Sequence, residues 1–217
     1  MNSWVDPFKE RLFQGGQALG YELSSKEMGL MADHAEQLMV WNKKINLTAI
    51  RNPLEMAEKH FLDAVGVAGL LNGENKILDM GSGGGFPALP LKILNPSLHF
   101  SLVDSVRKKV SFLNHVVRTL ELEGIKAFHS RVQALALDPD HFKSYDAVMS
   151  RGFSGLESFV DYAAPFLTPS GKIYALKGEN AQNEITPAVR SRFDIKIDHY
   201  LLPFLKADRY LLRLTPK

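Results

Sequence analysis

An acidic residue directly before a glycine-rich turn is the first feature of this sequence that could do chemistry. In KILDMGSGGGFP, which begins at residue 76, an apolar run ends at Asp79, and glycines follow at positions 81, 83, 84 and 85. Such a turn carries few side chains, so a ligand can approach its backbone closely. A second carboxylate, Asp104, ends the next apolar run, roughly twenty residues past the glycines, where it suits the two hydroxyls of a ribose. The pattern predicts a nucleoside-binding site.

Three kinds of nucleoside ligand compete for this turn. A triphosphate loop needs Lys and then Ser or Thr after its last glycine, and here Phe86 and Pro87 follow, which excludes that interpretation. A dinucleotide fold needs a third glycine where Phe86 stands, and too little chain remains for a separate substrate domain. The remaining pattern, D-x-G-x-G from Asp79 to Gly83, resembles motif I of S-adenosylmethionine-dependent methyltransferases. That donor has no phosphates, and its cationic end can meet the acid.

The elements that position these residues change in character near residue 73. The residues before that point have helical patterns, with a capping box formed by Ser24 and Glu27 and a helix start at Asn52 and Pro53. We therefore predict that residues 1–72 form a helical segment packed on the rest of the chain.

From residue 73 to 217, short β-branched runs, the fifth of them at 172–176, alternate with helical patterns, which predicts a parallel sheet with right-handed crossovers. The last two apolar runs are separated by a short turn at 206–208, so they are expected to pair antiparallel. The predicted fold class is α/β, with a seven-stranded, mostly parallel sheet, an antiparallel C-terminal hairpin and an N-terminal helical extension.

Composition narrows the function classes. The 217-residue chain has no cysteine, which excludes a disulfide framework, a thiolate metal site and a cysteine nucleophile, and no metal is expected. A net charge of +2 permits an anionic partner without requiring one. The apolar runs are shorter than the ~20 residues that cross a bilayer, and residues 1–13 do not read as a signal peptide. We expect a cytoplasmic protein without membrane contact.

Beyond the glycine turn, the sequence resembles the RsmG (GidB) family, which methylates guanine N7 in 16S ribosomal RNA. The matching segments, in the family's order and spacing, are WNKKINLTAIR (41–51), KHFLDAV (59–65), ILDMGSGGGFPALPL (77–91), LVDSVRKKVSFL (102–113), SRV (130–132), SRGF (150–153) and YALKG (174–178). The continuation of motif I through residue 91 is far more specific than D-x-G-x-G alone. Three positions depart from the family pattern, since Ala88, Gln133 and Gly152 stand where Gly, an acid and Ala are usual.

The resemblance implies a Rossmann-like class I methyltransferase domain that uses S-adenosylmethionine as methyl donor. The donor-binding residues it implies are Asp79, Gly81, Gly83, Phe86, Asp104, Ser105, Val132, Gln133 and Arg151. Among them, Asp104 would hold the ribose and Gln133 would accept from the adenine amino group. Arg151, at the end of the fourth strand, would reach the donor or the target base and is the implied catalytic residue.

The implied substrate is 16S ribosomal RNA or a small-subunit particle, at a guanine of the 530 loop, and the protein is expected to act as a monomer. The candidate RNA-contacting residues are Lys43, Lys44, Arg51, Phe153 and Lys177. Phe153 could stack on a base or belong to the core. Lys177 could contact phosphate or be a solvated strand end. Both alternatives stay open at this stage.

Guanine N7 carries a lone pair in the plane of the ring, so it can attack a sulfonium methyl without first losing a proton. Catalysis then depends on placing nucleophile, methyl carbon and sulfur in line, and no general base is required. Arg151 could donate to guanine O6 without occupying N7. Two rival functions stay open, a small-molecule methyltransferase and a non-enzymatic RNA-binding assembly factor, although an intact glycine turn with Asp104 and Arg151 argues against the latter.

Overall fold

A computed structural model of the protein describes residues 3–71, 73–153 and 155–217. Its strands form one seven-stranded sheet in the order β3-β2-β1-β4-β5-β7-β6. The strands are β1 (Lys76–Met80), β2 (His99–Asp104), β3 (Ile125–His129), β4 (Tyr145–Arg151), β5 (Leu167–Lys177), β6 (Phe193–Leu201) and β7 (Asp208–Pro216). Strands β1 to β5 pair in parallel, and β7 pairs antiparallel with both β5 and β6. This arrangement confirms the predicted fold class.

The helices cover both faces of the sheet. They are α1 (Val5–Ala18), α2 (Ser25–Asn42), α3 (Pro53–Met56), α4 (Asp63–Ala68), α5 (Ala88–Leu94), α6 (Arg107–Thr119), α7 (Val132–Leu135), α8 (Leu156–Ala163) and α9 (Pro187–Arg192). One hydrophobic cluster joins α1, α2, α5 and α6 to the first face, and a second joins α8 and α9 to the opposite face. No helix within the described ranges is long and apolar enough to cross a membrane.

The N-terminal helices begin where local chemistry predicts. The Ser24 side chain accepts from the Glu27 amide and the Glu27 carboxylate accepts in return, so the predicted capping box is present. Asn52 caps α3 by accepting from the Leu54 and Glu55 amides. Between α3 and α4 the chain makes a π-helical turn, Ala57–Leu62, in which hydrogen bonds shift from i→i+4 to i→i+5.

The first helix, α1, is part of the core. Phe8 and Leu12 are fully buried, and Phe8 packs edge-to-face on Phe61 of the π-helical turn. Gly15 lies so close to Leu62 that an added Cβ would approach the Leu62 side chain to 2.2 Å, so only glycine lets the two helices touch here. Helices before residue 72 and the sheet thus share one core, and a domain boundary at 72/73 stays a prediction. Residues 1, 2 and 72 of that predicted segment lie outside the described residues.

Two sequence-based details were wrong. The hairpin turn predicted at 206–208 is a longer loop, because β6 ends at Leu201 and β7 begins only at Asp208. The fifth strand was predicted over 172–176 but begins at Leu167. Its early part contains Pro169 and Gly171, which are residues depleted in strands, and a register irregularity against β4 accommodates them.

Candidate active site

The glycine turn leaves β1 in backbone conformations that favour glycine. Gly81, Gly83 and Gly85 have φ values of +74°, +53° and +87°. The Gly81 amide donates to the carbonyl of Val103 at 2.8 Å, so the turn crosses the carboxyl end of β2. A Cβ added to Gly83 would have only the Gly81 carbonyl oxygen nearby, at 3.8 Å. The turn therefore borders open space on the side where a ligand would lie.

The Asp104 side chain, at the end of β2, is hydrogen-bonded to the glycine turn that follows β1. One carboxylate oxygen, Oδ2, accepts from the Gly83 amide at 3.1 Å, and the other, Oδ1, accepts from the Val106 amide at 2.8 Å. Each oxygen keeps lone-pair capacity for a further donor. Since Asp104 is mostly buried and held from both sides, its carboxylate has a fixed position suited to a ribose diol.

A cleft of about 580 Å³ opens at the carboxyl ends of β1, β2, β3 and β4, the edge at which open α/β sheets bind ligands. The lining residues that the sequence predicted are Gly81, Asp104, Ser105, Val132, Gln133 and Phe153. The structure thus brings the implied ribose and adenine contacts into one cavity. Asp79, Gly83, Phe86 and Arg151 are not among the lining residues, and their roles toward the donor stay predictions.

Asp79 lies beneath the cleft with no exposed surface. Neither carboxylate oxygen has a hydrogen-bond partner within the described structure, and the Ser82 hydroxyl donates to the Asp79 main-chain carbonyl instead, at 2.9 Å. Burial raises the pKa of Asp79 to about 8, although the nearby Arg151 guanidinium opposes the shift. A buried acid without a partner is costly, and a cationic ligand group would satisfy it. This observation fits the ammonium of an amino-acid tail.

Phe153 forms one wall of the cleft. Its ring lies about 3.4 Å from the position of a Cβ on Gly81 and packs against Phe159 and Tyr162 of α8. The preceding Gly152 has φ +73° with open space around it. Phe153 is therefore both packed against the second hydrophobic cluster and presented to the cleft, so the two sequence-based alternatives are not exclusive.

Arg151 points into a buried polar network rather than into the cleft. Its Nη1 donates to the Lys59 carbonyl at 2.9 Å and to Asp63 Oδ2 at 3.1 Å. Its Nη2 lies 3.0 Å from His60 Nδ1, which must accept, so the His60 proton is on Nε2 and is donated to Thr48 Oγ1 at 2.9 Å. The Arg151 side chain is 20% exposed. The network joins the end of β4 to the N-terminal helices.

Burial, followed by the charge of Arg151, lowers the pKa of His60 to about 3. Both ring nitrogens of His60 are engaged, so it is a packed neutral histidine and not a base facing the cleft. Phe86 stacks on His60 at 4.5 Å and on His34 at 4.8 Å between ring centroids. His34 Nε2 bonds the Gly84 carbonyl at 2.9 Å, so α2 directly supports the glycine turn.

The structure separates the predicted RNA contacts into different places. Lys43 and Arg51 line one surface cavity between α2 and α3, while Lys44 is exposed beside it. Lys177 is not a solvated strand end, since it pairs with Glu184 at 2.7 Å and its side chain is only 11% exposed. Whether any of these residues contacts RNA stays a prediction.

Sequence reasoning gave no donor-binding role to several residues that line the cleft. They are Val103, Val106, Lys109, Ser130, Arg131, Gly152 and Tyr162. Ser130 and Arg131 stand in a recognised motif, so their position at a strand end was a usable signal. Tyr162 reaches the cleft only through the orientation of α8, which no local pattern reveals.

Comparison of the sequence with known proteins shows the family of this chain. The family model described as "rRNA small subunit methyltransferase G" (GidB) matches residues 27–212. The chain belongs to the rRNA small subunit methyltransferase G family. A relative of that name from Geobacter sp. (strain M21) is 43% identical over 184 residues, 85% of this chain and 84% of the relative. Another from Geotalea uraniireducens (strain Rf4) is 38% identical over 209 residues, 94% of each chain. Helix α1 precedes the region that the rRNA small subunit methyltransferase G model matches.

Solved structures support the fold. M. capricolum TrmK, determined in complex with S-adenosyl-homocysteine, aligns with a TM-score of 0.56 at 17% sequence identity, covering 71% of this chain and 67% of that one. At this identity the likeness shows a shared fold and nothing more.

Proposed function

We propose that this protein transfers the methyl group of S-adenosylmethionine to N7 of a guanine in small-subunit ribosomal RNA. The observation that carries the proposal is the cleft at the carboxyl ends of the central strands, with Gly81 and Asp104 in its lining, in a chain of the rRNA small subunit methyltransferase G family. The family name supports the RNA substrate. The choice of guanine N7, in the 530 loop, comes from the sequence resemblance.

The residues around the cleft fit the donor. Asp104 presents a fixed carboxylate to the ribose, Val132 and Gln133 flank the region for the adenine, and the partnerless Asp79 offers a counter-charge for the amino-acid tail. The cleft volume of about 580 Å³ lies within the range of roughly 300–1,000 Å³ typical of small-molecule sites.

The chemistry requires placement more than proton transfer. The N7 lone pair forms the new N–C bond while the sulfonium S–C bond breaks, and the electron pair of that bond stays on sulfur. The positive charge moves from the sulfonium to the methylated guanine, and no proton leaves. The geometry agrees with this economy, because His60 is neutral, buried and fully engaged. Arg151, whose guanidinium donates to Lys59, Asp63 and His60, acts by positioning the end of β4.

Positively charged residues near the cleft support an RNA partner. Lys109 and Arg131 at the cleft, and Lys43 and Arg51 at the neighbouring surface cavity, provide positive charge for an RNA backbone. We propose that the protein acts as a monomer in the cytoplasm, where ribosomal subunits are found. Residues 1–72 and 73–217 would then be a helical segment and a catalytic domain working as one unit.

Methyl transfer to small ribosomal subunits tests the proposal. Subunits from cells lacking the protein are incubated with methyl-labelled S-adenosylmethionine, and 7-methylguanine is located by strand scission. We expect label at one guanine, and none with Gly83→Val. Gly20→Val is the matched control, since Gly20 has a similar φ of +75° and open surroundings far from β1 in the chain. Label in free nucleosides but not in subunits would favour a small-molecule methyltransferase, and no saturable donor binding would favour an assembly factor.

A further inference from the structure

A second cavity lies outside the donor cleft, between the end of α2 and the start of α3. Its volume is about 500 Å³. Its lining residues are Met39, Asn42, Lys43, Asn46, Arg51 and Met56. Two cations and two amides stand beside two thioether side chains, and no carboxylate is among the lining residues. This composition favours an anionic ligand that also has a flat apolar part.

The loop that carries the cavity is built by one side chain. Asn42 Oδ1 accepts from the amides of Leu47 and Thr48 at 2.8 and 3.1 Å, and its Nδ2 donates to the Thr48 carbonyl at 2.8 Å. The loop from 43 to 51 therefore has a fixed conformation before a ligand arrives, which lowers the entropic cost of binding. Asn46 remains exposed at its centre.

Met56, which is 1% exposed, and the half-buried Met39 contribute the apolar part of the cavity. A bare phosphate gains nothing from thioethers, whereas the face of a nucleobase makes favourable contacts with sulfur. The amide of Asn46 can pair with a base edge, and Lys43 and Arg51 can meet the phosphates on either side. The set matches one unstacked nucleotide within a single strand.

The cavity is also connected to the active-site edge. Thr48, in the same loop, contacts His60, and His60 contacts Arg151 at the end of β4. The loop that carries the cavity is thus joined by hydrogen bonds to the strand end that borders the donor cleft. We propose that the cavity binds a second, unmethylated nucleotide of the RNA. The proposal rests on the proposed function for the identity of the RNA and deepens it by adding a subsite.

Equilibrium binding of small-subunit RNA, measured by filter retention with S-adenosyl-homocysteine present, tests the subsite. Lys43→Ala and Arg51→Ala should each weaken RNA binding on the order of tenfold, with a shallower salt dependence. Lys26→Ala is the matched control, because it removes the same charge from an exposed position at the opposite end of α2 that does not line the cavity. We expect less than a twofold effect there. The neutral Asn46→Ala should weaken binding about fivefold without changing the salt slope.

Equal losses for Lys43→Ala and Lys26→Ala, with Asn46→Ala at the wild-type affinity, would overturn the subsite in favour of a diffuse basic surface. Because binding is measured apart from methyl transfer, the two proposals fail separately. A protein in which Lys43→Ala weakens RNA binding and Lys26→Ala does not, but which never methylates small subunits, keeps the subsite and refutes the reaction. A protein that methylates them and shows no discrimination keeps the reaction and refutes the subsite.

Discussion

Donor affinity should depend on pH through Asp79. In the free protein, burial raises the pKa of Asp79 to about 8, so this acid is mostly protonated at pH 6.5. If its ionised form meets the donor ammonium, binding must release that proton. The apparent Kd for S-adenosylmethionine should then fall about tenfold from pH 6 to pH 7, because the ionised fraction of the free protein rises about tenfold over that interval. The buried histidines His34 and His60, with pKa values of about 4 and 3, stay neutral throughout.

Isothermal titration calorimetry at pH 6.5, in two buffers of different ionisation enthalpy, measures the proton release directly. We expect close to one proton per donor bound for the wild type. Asp79→Asn keeps the shape of the side chain without the charge, so it should bind the donor more weakly at pH 7 and release no proton. A wild-type Kd independent of pH between 6 and 7, with no proton released, would refute the assignment of Asp79 as the counter-charge.

Three further outcomes follow from the same geometry. Because the folded pKa of Asp79 is raised, the protein loses stability as pH rises. The donor-free wild type should lose up to about 1.4 kcal/mol of unfolding free energy per pH unit relative to Asp79→Asn between about pH 4 and 8. The same difference in unfolding free energy between the two proteins at pH 4 and at pH 9 would contradict this. Gly83→Val should lose donor binding, whereas Gly20→Val, which has a similar φ and a similar strain of at least about 1–2 kcal/mol, should keep it. Both positions have open surroundings, so both variants should fold. Equal dialysis curves for the two variants would remove Gly83 from the site. In Arg151→Lys the ammonium cannot reproduce the three contacts of the planar guanidinium, so the single-turnover rate at saturating donor should fall about ten- to a hundredfold (~1.4–2.7 kcal/mol). The rate should stay independent of pH from roughly pH 6.5 to 8.5, and a rate that rises tenfold per pH unit would indicate an essential base.

The parts of the fold that follow from local chemistry could be predicted from the sequence. Side-chain caps such as Ser24 with Glu27, and the alternation of strands and helices after residue 73, are encoded within a few residues of one another. The π-helical turn Ala57–Leu62 could not be predicted, because its residues are compatible with an ordinary α-helix. In the structure its Lys59 carbonyl accepts from Arg151, a contact between residues distant in the sequence.

In the candidate site, too, some features could be predicted from the sequence and others depend on residues that are distant in the sequence. The glycine turn and Asp104 were predicted together because each stands at the end of an apolar strand, and parallel strands end at one edge. The direction of the Arg151 side chain was not predictable, since it depends on Asp63 and His60, far away in sequence. Lys177 pairs with Glu184 at the end of the short 3-10 helix Ala181–Glu184, so the sequence left the environment of Lys177 undecided.

The most direct test of the account is the methylation state of one nucleotide in living cells. Small-subunit RNA from cells with the protein, without it, and with Gly83→Val in its place is digested with ribonuclease and analysed by mass spectrometry. We predict one 7-methylguanosine that is present with the wild type and absent in the other two. An identical set of modified nucleotides in all three samples would contradict it.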